Sequence, residues 1–122
     1  MTQSVEDGWV NFILEGPSAR SGVAEMTPED WERRAADFRL LPGETLAGVL
    51  AAYDKVARRT DEIVATLSSL NDAWPLPEAP WFPPGESWTA RRVLLHIIAE
   101  TAQHCGHADI IRESLDGAKT MG

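Results

Sequence analysis

A chain of 122 residues and 13.4 kDa is the size of one ordinary domain, long enough for a single hydrophobic core and too short for two, so residues 1–122 are read as one unit. Its 43% hydrophobic and 25% charged residues are a globular mixture, away from the composition of chains that stay disordered. Nineteen Asp and Glu against eleven Lys and Arg leave a net charge of −8, a field that repels phosphate backbones and anionic membrane surfaces and excludes nucleic acid as an expected partner.

In chain order, Val5, Trp9, Phe12 and Ile13 fall at helical spacing between Ser4 and Glu15, and Gly16-Pro17 ends that segment. Residues Ser18 to Glu25 are small and polar without a period. Thr27-Pro28-Glu29-Asp30 then supplies an N-cap, a proline at the first helical position and acids in the first turn, which predicts a short helix to about Ala36. The most regular pattern follows: Leu46, Val49, Leu50, Tyr53, Val56, Ala57, Ile63, Val64 and Leu67 recur at three- and four-residue steps across Glu44 to Ser69. Between Asn71 and Ser87, Pro75, Pro77, Pro80, Pro83 and Pro84 forbid a regular helix, while Trp74, Trp81 and Phe82 are too apolar for a free linker; a loop packed over the end of the helices is expected. Ser87 or Thr89 caps a last helix that runs to about Leu115 and stops at Gly117. No strand pattern or internal repeat is visible, and the predicted fold class is all-α.

The arginine pairs Arg33-Arg34, Arg58-Arg59 and Arg91-Arg92 read as solvated helix faces rather than a basic patch. Cys105 is the single cysteine, so no intramolecular disulfide forms, and no targeting segment or membrane span is recognised; a cytoplasmic address is expected.

All three histidines lie on the last helix. At about 100° of turn per residue, His96, Glu100, His104 and His107 share a sector of roughly 80°, overlapping the apolar stripe of Val93, Ile97, Ala108, Ile111 and Leu115. Such positions either hydrogen-bond to neighbouring helices or converge on a metal ion, since residues three and four apart lie about 5–6 Å from each other. His104 with His107, or Glu100 with His104, has the metal spacing. His96, about 12 Å of helix rise from His104, is read as structural. Cys105 is read as a small buried hydrophobe rather than a nucleophile. No Ser/His/Asp arrangement, Gly-rich phosphate loop or dinucleotide fingerprint is present.

The run from Trp88-Thr89-Ala90-Arg91-Arg92 through His96-Ile97-Ile98-Ala99-Glu100-Thr101-Ala102-Gln103-His104-Cys105-Gly106-His107-Ala108-Asp109 to Glu113 resembles the final helix of DinB/YfiT-like proteins. That group includes mycothiol-dependent maleylpyruvate isomerase and bacterial thiol S-transferases. Asp37-Phe38, Ala51-Ala52-Tyr53 and the Trp-rich proline loop resemble its middle region. The resemblance implies a helical bundle of up-down topology and a divalent ion, zinc or nickel, held by one histidine on the family's second helix and two ligands on the last. The later ligands map to His104 and His107, with Glu100 as the competitor. It implies a thiol-dependent transferase or isomerase using a low-molecular-weight thiol such as mycothiol.

The chain departs from that pattern at its front. The family's His-x-x-x-Val-Glu-x-x-Trp corresponds to Met1-Thr2-Gln3-Ser4-Val5-Glu6-Asp7-Gly8-Trp9, with Met1 at the ligand position, and the family's first helix has no counterpart. The metal triad is then incomplete, and the alternative is a catalytically silent bundle that acts by homo- or hetero-association. Three expectations follow. His104 and His107 project into the interior. Gly106 admits a close neighbour to its backbone. A homodimer covers the apolar faces left by the absent helix, namely Val5, Trp9, Phe12, Ile13 and a flank of the Leu46 to Leu67 stripe.

Overall fold

The computed structural model describes residues 2–19, 26–36 and 39–120. Met1 and the Asp37-Phe38 step used in the resemblance lie outside them. The chain is predominantly helical, as expected: α1 (Thr2–Glu15), a 3-10 turn (Gly16–Ala19), α2 (Pro28–Ala36), α3 (Leu46–Thr66), β1 (Ala73–Pro75), β2 (Ser87–Thr89) and α4 (Ala90–Asp116). No helix is long and apolar enough to cross a membrane among the described residues.

Local chemistry sets most boundaries. At the start of α2, Thr27 Oγ1 accepts from Asp30 N at 3.2 Å while Asp30 Oδ2 accepts from Thr27 N at 2.9 Å, a reciprocal capping box with proline at the first helical position. α3 starts two residues later than Glu44 because Thr45 is its cap, the hydroxyl accepting from Gly48 N at 3.0 Å. α4 is closed at both ends. Thr89 Oγ1 accepts from Arg92 N at 3.1 Å, and Gly117, at φ 74°, donates its N–H to Glu113 O at 2.9 Å.

The segment read as pure loop contains a short antiparallel ladder, with Trp74 opposite Trp88 and Ala73 opposite Thr89. No strand was expected because three residues are too few to show a period of two, and the prolines confine the ladder to Ala73–Pro75. Leu76 N extends the pairing to Glu86 O at 2.9 Å. The excursion between the strands does pack down as expected, since Leu76 and Phe82 rest against the core.

That core is Trp9, Val10 and Phe12 from α1, Trp88 from β2, and Val93 and Ile97 from α4. Both long helices pack on α1 and hardly meet each other. The α1–α3 seam is largely polar. Glu6, buried, accepts from Thr60 Oγ1 at 2.7 Å, and Arg59 pairs with Asp7 and donates to Asn11 Oδ1 at 2.7 Å. Arg59, expected on a solvated face, therefore joins two helices. Polar attachment also explains why α3, the most regular helix by pattern, contains no buried residue.

The front face expected to need an outside cover is covered within the chain. Trp9 and Phe12 are buried against the hairpin and α4, and Val5 and Ile13 are half-buried. The flank of α3 is open, with Leu46 72% exposed, and so is the far half of α4.

Candidate functional site

The inner end of α4 meets α1 in a cage of rings. Trp9 stacks on Trp88 with centroids 5.2 Å apart and planes 16° from parallel. Phe82 meets Trp9 at 6.4 Å and Trp88 at 5.7 Å, both edge-on. His96 sits edge-on to the same two indoles, at 5.0 Å from Trp9 and 4.9 Å from Trp88. The Arg92 guanidinium lies 5.0 Å above the Trp88 ring, a cation–π contact that takes this arginine too out of the plain solvated class.

One carboxylate faces this cage. Trp9 Nε1 donates to Glu100 Oε2 at 3.2 Å, and His96 Nε2 lies 3.3 Å from the same oxygen. Both contacts fall on Oε2, so Oε1 of the half-buried Glu100 accepts nothing from the described residues. Trp88 Nε1 is the counterpart: buried, with no hydrogen-bond acceptor among the described residues.

His104, one turn beyond Glu100, is half-buried; His107 and Cys105 are exposed. The interior placement expected for both histidines fails for His107, and the buried placement expected for Cys105 fails as well. Past Ile97 the inner stripe of α4 has little across from it: Ile111 and Leu115 are 60% and 82% exposed. For the same reason nothing among the described residues lies within 4 Å of a methyl group built on Gly106, against the expectation of a close neighbour. His96 has the packing role read for it.

As a metal centre, Glu100 and His104 supply a carboxylate oxygen and an imidazole at helical i, i+4 spacing, a donor chemistry that fits two positions of a zinc-like shell. Among the described residues no group of three or more His, Cys, Asp or Glu gathers about one point. A hollow of about 390 Å³, lined by Leu76, Pro77, Glu78, Pro80, Phe82 and Pro84, opens in the hairpin excursion. Phe82 therefore both lines the hollow and touches the ring cage.

A family model for mycothiol-S-transferase matches residues 2–117, from the first turn of α1 to the cap of α4. The chain belongs to this family. No curated protein and no solved structure matched it. The matched span of this mycothiol-S-transferase family member includes both halves of the site, Trp9 on α1 and the His96 to His107 segment on α4. Sequence reasoning singled out Glu100, His104 and His107 as candidates from their spacing on one helix. It missed Trp9 as the partner of Glu100, because 91 positions separate them and no local pattern links the two.

Proposed function

We propose that the chain is a thiol-dependent transferase of the mycothiol type that works with a divalent ion, zinc or nickel, held from α4 by Glu100 and His104, with His107 one turn further along. The observation that carries the reading is the Oε1 of Glu100, which accepts nothing from the described residues, on a half-buried side chain beside a ring cage and one turn from His104. When bound, such an ion would lower the pKa of the co-substrate thiol and so favour its thiolate as the nucleophile. The chain's own part is to hold two donors at fixed spacing and to keep water from one side of Glu100 with Trp9. Elemental analysis of protein purified after metal supplementation tests this. About one equivalent of metal is expected in the wild type, and much less in Glu100→Ala and His104→Ala. Wild-type protein with less than about a tenth of an equivalent after such supplementation rules the reading out.

A second reading is a catalytically silent bundle that acts by association, most simply as a homodimer. The open apolar flank favours it, with Leu46 at 72% and Leu115 at 82% exposure, as does a donor set that among the described residues is short of the usual three. Sedimentation equilibrium at micromolar concentration separates the cases: a single 13.4 kDa species removes the homodimer.

A further inference from the structure

We infer that Trp9 and His96 are positioning residues for Glu100: the Trp9 N–H bonds to one carboxylate oxygen, His96 Nε2 stands beside the same oxygen, and together they leave the other for the His104 side of α4. This rests on the metal reading above and adds to it the means by which α1 controls a donor on α4.

The geometry is specific at the atomic level. A half-buried carboxylate free to rotate about its last torsion would present either oxygen, and only one orientation suits a ligand one turn along the helix. The hydrogen bond from Trp9 Nε1 to Oε2 at 3.2 Å, with His96 Nε2 3.3 Å from the same atom, selects an orientation. Packing restrains both contacting side chains: Trp9 is 3% exposed and stacked on Trp88, and His96 sits edge-on against both indoles. A hydrogen bond such as that from Trp9, behind a ligating carboxylate, orients it, and its loss typically lowers metal affinity by about 10- to 100-fold.

The stack contains its own control. Trp9 and Trp88 are neighbouring indoles with similar burial, yet one N–H reaches Glu100 and the other has no acceptor among the described residues. Trp9→Phe and Trp88→Phe therefore remove comparable ring area, while only the first removes a donor from Glu100.

The experiment is a zinc titration against a chromophoric chelator, with folding checked by circular dichroism. Trp9→Phe is expected to bind zinc about tenfold or more weakly than the wild type, and Trp88→Phe within about twofold of it. If Trp9→Phe does not fold, benzothienylalanine at position 9 keeps the bicyclic shape with sulfur in place of N–H, and the same weakening is expected. His96→Phe, which keeps a ring against the indoles, should lose affinity in the same direction. Equal affinities in the Trp9 and Trp88 variants overturn the positioning role while leaving the metal reading intact. Wild-type protein that takes up no zinc overturns both.

Discussion

The two halves of α4 carry the same kind of inner stripe and meet different fates. In the first half Val93 and Ile97 are 0% and 9% exposed; in the second Ile111 and Leu115, on the continuation of that face, are 60% and 82% exposed. What differs is the opposing surface. The first half faces α1 and the ring cage, while the second extends past them. A similar contrast separates α1, which buries Trp9, Val10 and Phe12, from α3, which buries nothing despite a more regular pattern. Periodicity predicts which face of a helix is apolar, and the neighbour decides whether that face is covered. Glu100 and His104 lie at the boundary between the two regimes, where α4 leaves the core.

The largest expected effect tests whether that contrast holds in solution. Phe12→Ala should destabilise the chain by about 3–5 kcal/mol, because a fully buried ring is lost from the centre of the core. Leu115→Ala should stay within about 0.5 kcal/mol, since little contact is removed. Denaturant titration of both variants measures the difference. A Leu115→Ala loss of several kcal/mol would show the far half of α4 covered by another chain, in favour of the association reading.

Two glycines sharpen the same comparison at smaller scale. Gly16 closes α1 at φ +76°, and a Cβ there would stand 2.5 Å from the Trp74 ring, whose Nε1 is tied to Ile13 O at 3.1 Å. Gly16→Ala should cost about 1–3 kcal/mol, from the left-handed backbone and the displaced indole together. Gly106 sits mid-helix in α4 with open space around it, so Gly106→Ala should raise stability by about 0.5–1 kcal/mol. Thermal melts of the two variants should move in opposite directions. A destabilised Gly106→Ala protein would mean that a ligand or another chain approaches the helix there after all.

The legible part of the molecule was whatever neighbouring residues encode. Thr27, Thr45 and Thr89 cap their helices through groups three residues away, and Gly117 ends α4, so helix positions were readable to within a few residues. The stripe of Glu100, His104 and His107 was readable for the same reason. Contacts between distant segments were not. Trp9 with Glu100, Arg59 with Asp7 and Thr60 with Glu6 each join residues at least 52 positions apart, and the Trp74–Trp88 pairing depends on a turn built from prolines rather than on strand pattern. Exposure of His107 was missed because the wheel that put it near an apolar stripe contains no information about what faces it, and that of Cys105 because burial was read from the habit of the residue type.

The smallest effect concerns α2, whose nine residues include none that is buried and which therefore depends on its local signals alone. Asp30 is held below the usual carboxylate range, first by the backbone N–H of Thr27 and then by the Thr27 hydroxyl, with Arg33 nearby adding to both. A depressed folded pKa means that the stabilisation is fully present above the unfolded value, about 3.9, and is lost as pH falls through the lower folded value. Protonation removes the charge that suits a helix N-terminus and weakens the capping box, so α2 should fray selectively in acid while α1, held by ring packing, keeps its amide protection. A carbon-13 titration of the Asp30 carboxyl, followed alongside amide exchange, measures both. Thr27→Ala should return the Asp30 midpoint toward the ordinary value and make α2 fray already at neutral pH. An unchanged Asp30 midpoint in Thr27→Ala would show that the cap does not set its acidity, and simultaneous loss of α1 and α2 in acid would show that the outer helix is coupled to the core.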